Sequence, residues 1–272
     1  MGLAELDRRL GALGSVLVAF SGGADSAFLL ARAAAVLGPD RVAAATAVSA
    51  SLPAAELAAA RGCAERLGVR WETPHTEEMS RPGYRANAGD RCFFCKAELL
   101  DVLVGVAARL GLAHVATGTN ADDMAAGFRP GIRAAAERGA VTPLLDAGLT
   151  KADVRAASRD MGLPTWDKPA AACLSSRIAY GIEVTPARLA RVERAEAALR
   201  MALARAGLPT RDLRVRDLGP AGARVEVDVA LCGTLAARPD LLAAVDGFPA
   251  VTVDPRGFRS GSMNEALPEE YR

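Results

Sequence analysis

The sequence predicts an α/β chain: a doubly wound parallel sheet followed by a small α+β domain. Three observations carry this. Over roughly the first 180 residues, short apolar runs of strand length alternate with amphipathic stretches of helical period, the pattern of a parallel sheet covered on both faces. Two of those runs end in glycine turns, Ser21-Gly22-Gly23 and Gly118-Thr119-Asn120. Near residue 185 the pattern changes to helix, two alternating strands, helix and strand. The expected domains are therefore 1–180, carrying the cysteine-containing loops, and 181–272.

The first strand is 16–20 (VLVAF), broken by Ser21-Gly22-Gly23-Ala24-Asp25-Ser26 before helix-period sequence resumes. Gly22 and Gly23 are expected to reach φ > 0 and let a ligand approach the backbone. Ser21, Ser26 and the free amides of the helix start then aim donors into one concavity, where the helix dipole favours an anion. A Walker A loop needs a lysine that is absent here, and G-x-G-x-x-G is also absent. An ordinary strand-turn-helix corner is the alternative reading. Residues 41–49 form a second buried strand. Pro53 opens and Gly68 closes a helix on which Cys63 reads as a small core hydrophobe. A short strand at 69–73 leads into the polar stretch 74–90, long for a connection inside a compact domain and so expected to be functional or mobile. Then come a helix at 96–111, the strand HVATG, and the turn with Gly118 and Asn120 at a strand's carboxyl end, where open α/β sheets bind ligands. Residues 121–140 read as a lid or a loop with one short helix, Thr150 and Asp153 as a capping box, and 163–181 as irregular.

In the second domain a helix at 186–207 precedes strands at 213–218 and 223–229 joined by GPAG. Alternation puts Leu213, Val215, Val225 and Val227 on one face and Arg214, Arg216, Arg224, Glu226 and Asp228 on the other. That charged face is either an anion site or a solvated surface with cross-strand ion pairs. A short helix with Cys232, read as core, and the strand AVTVD complete the domain.

With 272 residues, 51% of them hydrophobic, and a net charge of +1, the chain can bury a core but has no global field to recruit nucleic acid. Acidic residues in MGLAELDRRL argue against a signal peptide, and no uncharged apolar run reaches membrane-spanning length. A soluble cytoplasmic protein is expected. Its five cysteines are then read for metals or chemistry, not disulfides.

Cys92 and Cys95 form C-F-F-C at the start of a helix, whose N-terminus stabilises thiolates; the spacing lets both sulfurs reach one metal. Neither His75 nor His114 has ligand spacing. Cys173, in the other irregular stretch, is the third candidate. Three thiolates suit an iron–sulfur cluster with one open iron, or a metal-binding pair beside a separate reactive cysteine; a redox pair is the other alternative.

S-G-G-x-D-S after a strand resembles the PP-loop of the ATP pyrophosphatases (adenine nucleotide alpha hydrolase-like). Together with D-R-C-F-F-C-K, G-T-N-A-D-D, W-D-K-P-A-A-A-C-L-S-S-R-I, L-R-V-R and G-F-R-S-G-S-M-N-E in this order, it is similar over nearly the whole chain to the LarE family. The resemblance implies an ATP-dependent sulfurtransferase that adenylates a carboxylate of pyridinium-3,5-biscarboxylic acid mononucleotide, releases pyrophosphate and AMP, and makes a thiocarboxylate for the nickel-pincer nucleotide cofactor of lactate racemase. ATP would be held by Ser21, Gly22, Gly23, Asp25, Ser26, Gly118 and Asn120, with Mg2+ beside Asp25. Cys173 matches the family's sulfur-bearing cysteine. In one branch it sacrifices its own sulfur; in another it joins cysteines matching Cys92 and Cys95 around a [4Fe–4S] cluster that carries sulfide. The presence of all three places this chain in the cluster branch. Ser176 and Arg177 join Cys173 as catalytic candidates, Arg214, Arg216 and Arg259 are candidates for the substrate phosphate, and Glu226 with Asp228 either hold a second metal or pair those arginines. A sulfur-donor protein or sulfide source and a homo-oligomer, a hexamer in the family, are implied. An amidating or a tRNA-thiolating PP-loop enzyme is the alternative.

Overall fold

A computed structural model of the chain describes residues 2–125, 130–169, 172–259 and 261–267. It forms two compact units, Met1–Arg81 with Asp90–Ala171, and Pro82–Gly89 with Ala172–Arg272.

The first unit is built on four parallel strands, β1 (Val16–Ala19), β2 (Val42–Ala45), β3 (Arg70–Glu72) and β4 (His114–Thr117), in the order β3-β2-β1-β4. Side chains alternate across the sheet, and the two faces have separate cores. Val16, Val18, Val42 and Ala44 pack with Phe28, Leu29 and Leu30 of the helix Ala24–Leu37 and with Leu6 and Leu10 of the helix Gly2–Leu13. Leu17, Ala43 and Ala45 pack with Leu100, Leu103 and Val106 of the helix Arg91–Leu110. Each fully buried leucine contributes about 1.5–3 kcal/mol relative to exposure. This is the doubly wound arrangement that the alternating sequence predicts. Cys63 and Cys232 are buried in apolar clusters, and burial pushes both thiols up.

Element ends differ from expectation where backbone hydrogen bonding, not hydropathy, sets them. The helix carrying C-F-F-C begins at Arg91 rather than 96, so both cysteines lie in its first turns. The expected lid region contains the helices Ala121–Ala125 and Pro130–Glu137; its residues 126–129 lie outside the described residues. Thr150 and Asp153 form the reciprocal capping box.

The second unit has a three-stranded sheet, β5 (Leu213–Asp217), β6 (Ala223–Val227) and β7 (Val251–Val253), with β5/β6 antiparallel and β6/β7 parallel. Leu213 faces Val227 and Val215 faces Val225, the register expected from alternation. Their apolar face packs on Leu199 and Leu203 of the helix Pro186–Arg205.

The units do not divide at 180/181: Cys173, Ser176 and Arg177 belong to the second. The reason is local. Ile178 bridges to Asp217 at the end of β5, and Arg177 pairs with Glu196 on the long helix at 3.0 Å. Pro82–Gly89 also belongs to this unit. Asn87, fully buried and at φ 54°, donates its side-chain amide to the carbonyls of Ile178, Ala179 and Ile182 at 2.8–3.3 Å. The Tyr84 hydroxyl lies 2.5 Å from Ser175 Oγ. No helix among the described residues is long and apolar enough to cross a membrane.

Asn87→Ala removes the donor shared by three carbonyls and should cost about 2 kcal/mol. A urea unfolding curve should show a lower midpoint; an unchanged one would deny the clip its structural weight.

Candidate functional site

In the first unit the two glycine turns meet because β1 and β4 are neighbours. This is the point at which strand order reverses, where open parallel sheets leave a crevice at their carboxyl ends. Gly22 takes φ 70°, and a Cβ there would press on Ala60 at 3.2 Å. Gly23 is extended instead, at φ −80°; its missing side chain leaves room for Ser21 Oγ, 3.3 Å from a Cβ at that position. Positive φ is therefore needed at one of the two glycines, not both. The 14-residue helix that follows has no side-chain cap, so its first amides are left to serine hydroxyls and to any anion. Ser21 Oγ accepts from the Gly23 amide (3.3 Å) and lies 3.2 Å from Ser26 Oγ.

Gly118 comes so close that a Cβ would stand 2.9 Å from the Ser26 amide nitrogen. Asn120 donates to Asp25 Oδ1 at 3.2 Å. Ser21, Gly22, Gly23, Asp25, Ser26, Gly118 and Asn120 are thus gathered in one place. Burial pushes the Asp25 carboxyl up, against the pull of Lys151, the Asn120 hydrogen bond and Arg155; Asp123 adds to the rise.

Residues without a role in the sequence reading ring this loop. Lys168 donates to the Gly22 carbonyl at 3.0 Å and to Glu56 at 2.7 Å. Arg155 holds the Lys168 carbonyl at 3.3 Å, and its Nε is buried with no hydrogen-bond partner among the described residues. Composition held a signal for two of them: the chain has 3 lysines against 30 arginines, and Lys151 and Lys168 are two of the three.

In the second unit Cys173 caps the short 3-10 turn Leu174–Arg177. Its carbonyl accepts from the Ser176 amide (3.0 Å), Ser176 Oγ (2.7 Å) and Arg177 Nη1 (2.9 Å). Arg177 also donates to the Ala172 carbonyl. Arg216 is buried, giving Nη1 to the Ser176 carbonyl and Nη2 to Glu226 and Ser262. Two edges of its head are thus already committed. Arg214 donates to the Leu213 carbonyl and stacks over Phe258, with 5.1 Å from its guanidinium carbon to the ring centroid. Burial and then the charge of Arg177 push its guanidinium down, against Glu196. Arg259 pairs with Glu265. Arg216 Nε, Arg224 Nε, Arg259 Nε and Arg259 Nη2 have no hydrogen-bond partner among the described residues.

Glu226 and Asp228 are engaged separately. Glu226 pairs with Arg216 at 2.6 Å and Arg224 at 3.6 Å. Asp228 accepts from the amides of Arg211 and Asp212 and from Thr210 Oγ1. Cys92 is exposed, and Cys95 and Cys173 are half-buried. Among the described residues, no three His, Cys, Asp or Glu side chains converge on a metal position.

No family profile matches the chain. It is 36% identical over 255 residues to the pyridinium-3,5-bisthiocarboxylic acid mononucleotide synthase of Lactiplantibacillus plantarum, covering 93% of this chain and 90% of the relative. The chain belongs to the LarE family. It is also 42% identical over 270 residues to the uncharacterized protein slr1717 of Synechocystis sp., with 97% of both chains covered. A shorter match to the Methanocaldococcus jannaschii protein MJ0830, 28% identical, covers 42% of this chain and 44% of that one. The long LarE-family match takes in both the glycine-loop unit and the Cys173 unit.

Two outcomes follow from the geometry. Gly118→Ala should lower thermal stability, since backbone and not a flexible side chain blocks the new Cβ; an unchanged Tm would show that the turn yields freely. Asp25→Asn should raise the Tm of the ligand-free protein at neutral pH. A carboxyl whose folded pKa is raised favours folding when protonated, so its charge is destabilising above that pKa. The gain should shrink as pH falls through the raised folded pKa and vanish below the ordinary carboxylate range; a pH-independent difference would contradict the burial cause.

Proposed function

We propose that this chain is an ATP-dependent sulfurtransferase acting on pyridinium-3,5-biscarboxylic acid mononucleotide. The observation that carries the proposal is the uncapped helix start behind Ser21–Ser26, braced by Gly118 and Asn120, in a chain whose relative is named for making a bisthiocarboxylic acid. A carboxylate resists sulfur because oxygen leaves it poorly. Attack of its oxygen on the α-phosphorus of ATP breaks the α–β bond and expels pyrophosphate, whose charge the helix start and loop amides bind. Sulfur then adds to the acyl carbon and AMP leaves with the electron pair. Asp25, with Mg2+, would offset phosphate charge. The unpartnered guanidinium nitrogens of Arg216, Arg224 and Arg259 favour a phosphate-bearing ligand in the second unit.

Cys92, Cys95 and Cys173 are the thiols outside the apolar cores, and thiolates are the donor chemistry of a [4Fe–4S] cluster. In chain order, Cys92 and Cys95 follow shortly after the 89/90 crossing from one unit to the other, and Cys173 follows the 171/172 crossing. Bound there, the cluster would supply a renewable sulfide. A second reading, sacrifice of the Cys173 sulfur, is favoured by the three donors on the Cys173 carbonyl. They would stabilise charge as the Cα proton leaves and the Cβ–Sγ bond breaks, with sulfur departing on the product and dehydroalanine remaining.

The test is anaerobic turnover with ATP and the pyridinium biscarboxylate mononucleotide. AMP should form only with that substrate, and Cys173→Ala should give AMP without thiolated product. Absence of substrate-dependent AMP overturns the proposal. About four irons per chain, lost in Cys92→Ala, with residue 173 unchanged in mass after turnover, selects the cluster. Loss of one hydrogen sulfide from residue 173 selects sacrifice.

A further inference from the structure

We propose that Lys168 is a pyrophosphate-binding residue, parked on Glu56 and the Gly22 carbonyl until the phosphates of ATP arrive. This rests on the ATP reading above and names a contact at the same loop. The ammonium lies 3.0 Å from the carbonyl of Gly22, the residue whose positive φ shapes the loop, and 2.7 Å from Glu56 on the helix Ala54–Leu67. The pair is accessible from solvent, with the two side chains 20% and 25% exposed. The backbone beneath is fixed: the Lys168 amide donates to the Thr165 carbonyl at 3.1 Å and its carbonyl accepts from Arg155. A fixed base under a four-carbon stem lets the charge move while the chain does not.

Residue type points the same way. Arginine stands at 30 of the 33 cationic positions in this chain, yet lysine stands here. A guanidinium fork would lock onto the Glu56 carboxylate through two parallel bonds, whereas a compact ammonium exchanges one acceptor for another. When an anion fills the loop, the Gly22 carbonyl and a single carboxylate are weaker acceptors for that ammonium than a phosphate carrying several charges. Transfer of Lys168 to the phosphate leaves Glu56 half-exposed to water, where its charge is cheaply solvated.

The test is calorimetric titration of the full-length protein with inorganic pyrophosphate and, separately, with AMP. Lys168→Met should weaken pyrophosphate at least tenfold and leave AMP within twofold. Lys168→Arg should be intermediate. Glu56→Gln, which frees the lysine, should tighten pyrophosphate severalfold. Equal losses for both ligands in Lys168→Met, or weaker pyrophosphate binding in Glu56→Gln, would make the contact a structural brace and overturn the proposal. The Glu56 variant decides the matter if the Lys168 variants do not fold. Wild-type protein that binds AMP or ATP but not pyrophosphate removes this proposal alone; wild-type protein that binds none of the three removes the ATP reading with it.

Discussion

Backbone touches backbone where residue 118 passes the start of the helix Ala24–Leu37, with no room for a Cβ beside the Ser26 amide. The rest of the first unit can be understood from this approach. It requires β4 to lie beside β1 in parallel and in the register Val16 to His114 through Ala19 to Thr117. That register depends on Leu17 facing one core while Val16 and Val18 face the other, since a slip of one residue would invert every side chain. The two turns then leave the sheet at the same level, and an uncapped helix start faces Asn120 and the cationic residues around it.

Charge is handled differently in the two units. Around the glycine loop, Lys168, Lys151 and Arg155 surround a buried carboxyl and a set of backbone donors, an arrangement whose electrostatics improve when an anion enters. In the second unit the charges are mostly paired already. Arg216 with Glu226, Arg177 with Glu196, and Asp217 with Arg188 and Arg191 form buried or half-buried pairs. Such pairs contribute little net stability but are costly to break, so they fix geometry. What they fix is the turn at Cys173, whose carbonyl and neighbouring Ser176 carbonyl are held by guanidinium groups.

This explains why a strand face that reads as an open arginine clamp is in part a support. Arg216 reaches back to the cysteine turn, and Glu226 holds it there. The donors left over, on Arg216, Arg224 and Arg259, are single nitrogens from different strands and loops, a set that no spacing along one strand reveals.

The alternation of apolar runs, the glycines at strand ends, the capping box and the β5/β6 register were all legible in the amino-acid sequence, because each depends on neighbours a few residues away. So were the nucleotide-loop residues, whose chemistry lies in one short motif. The membership of Pro82–Gly89 and of Cys173 in the second unit was not, because Asn87 meets carbonyls about ninety residues later. Nor was the position of Lys168, 146 residues from the carbonyl it holds. Local propensity and periodicity are short-range properties; which distant donor satisfies which buried acceptor is decided only when the chain has closed on itself.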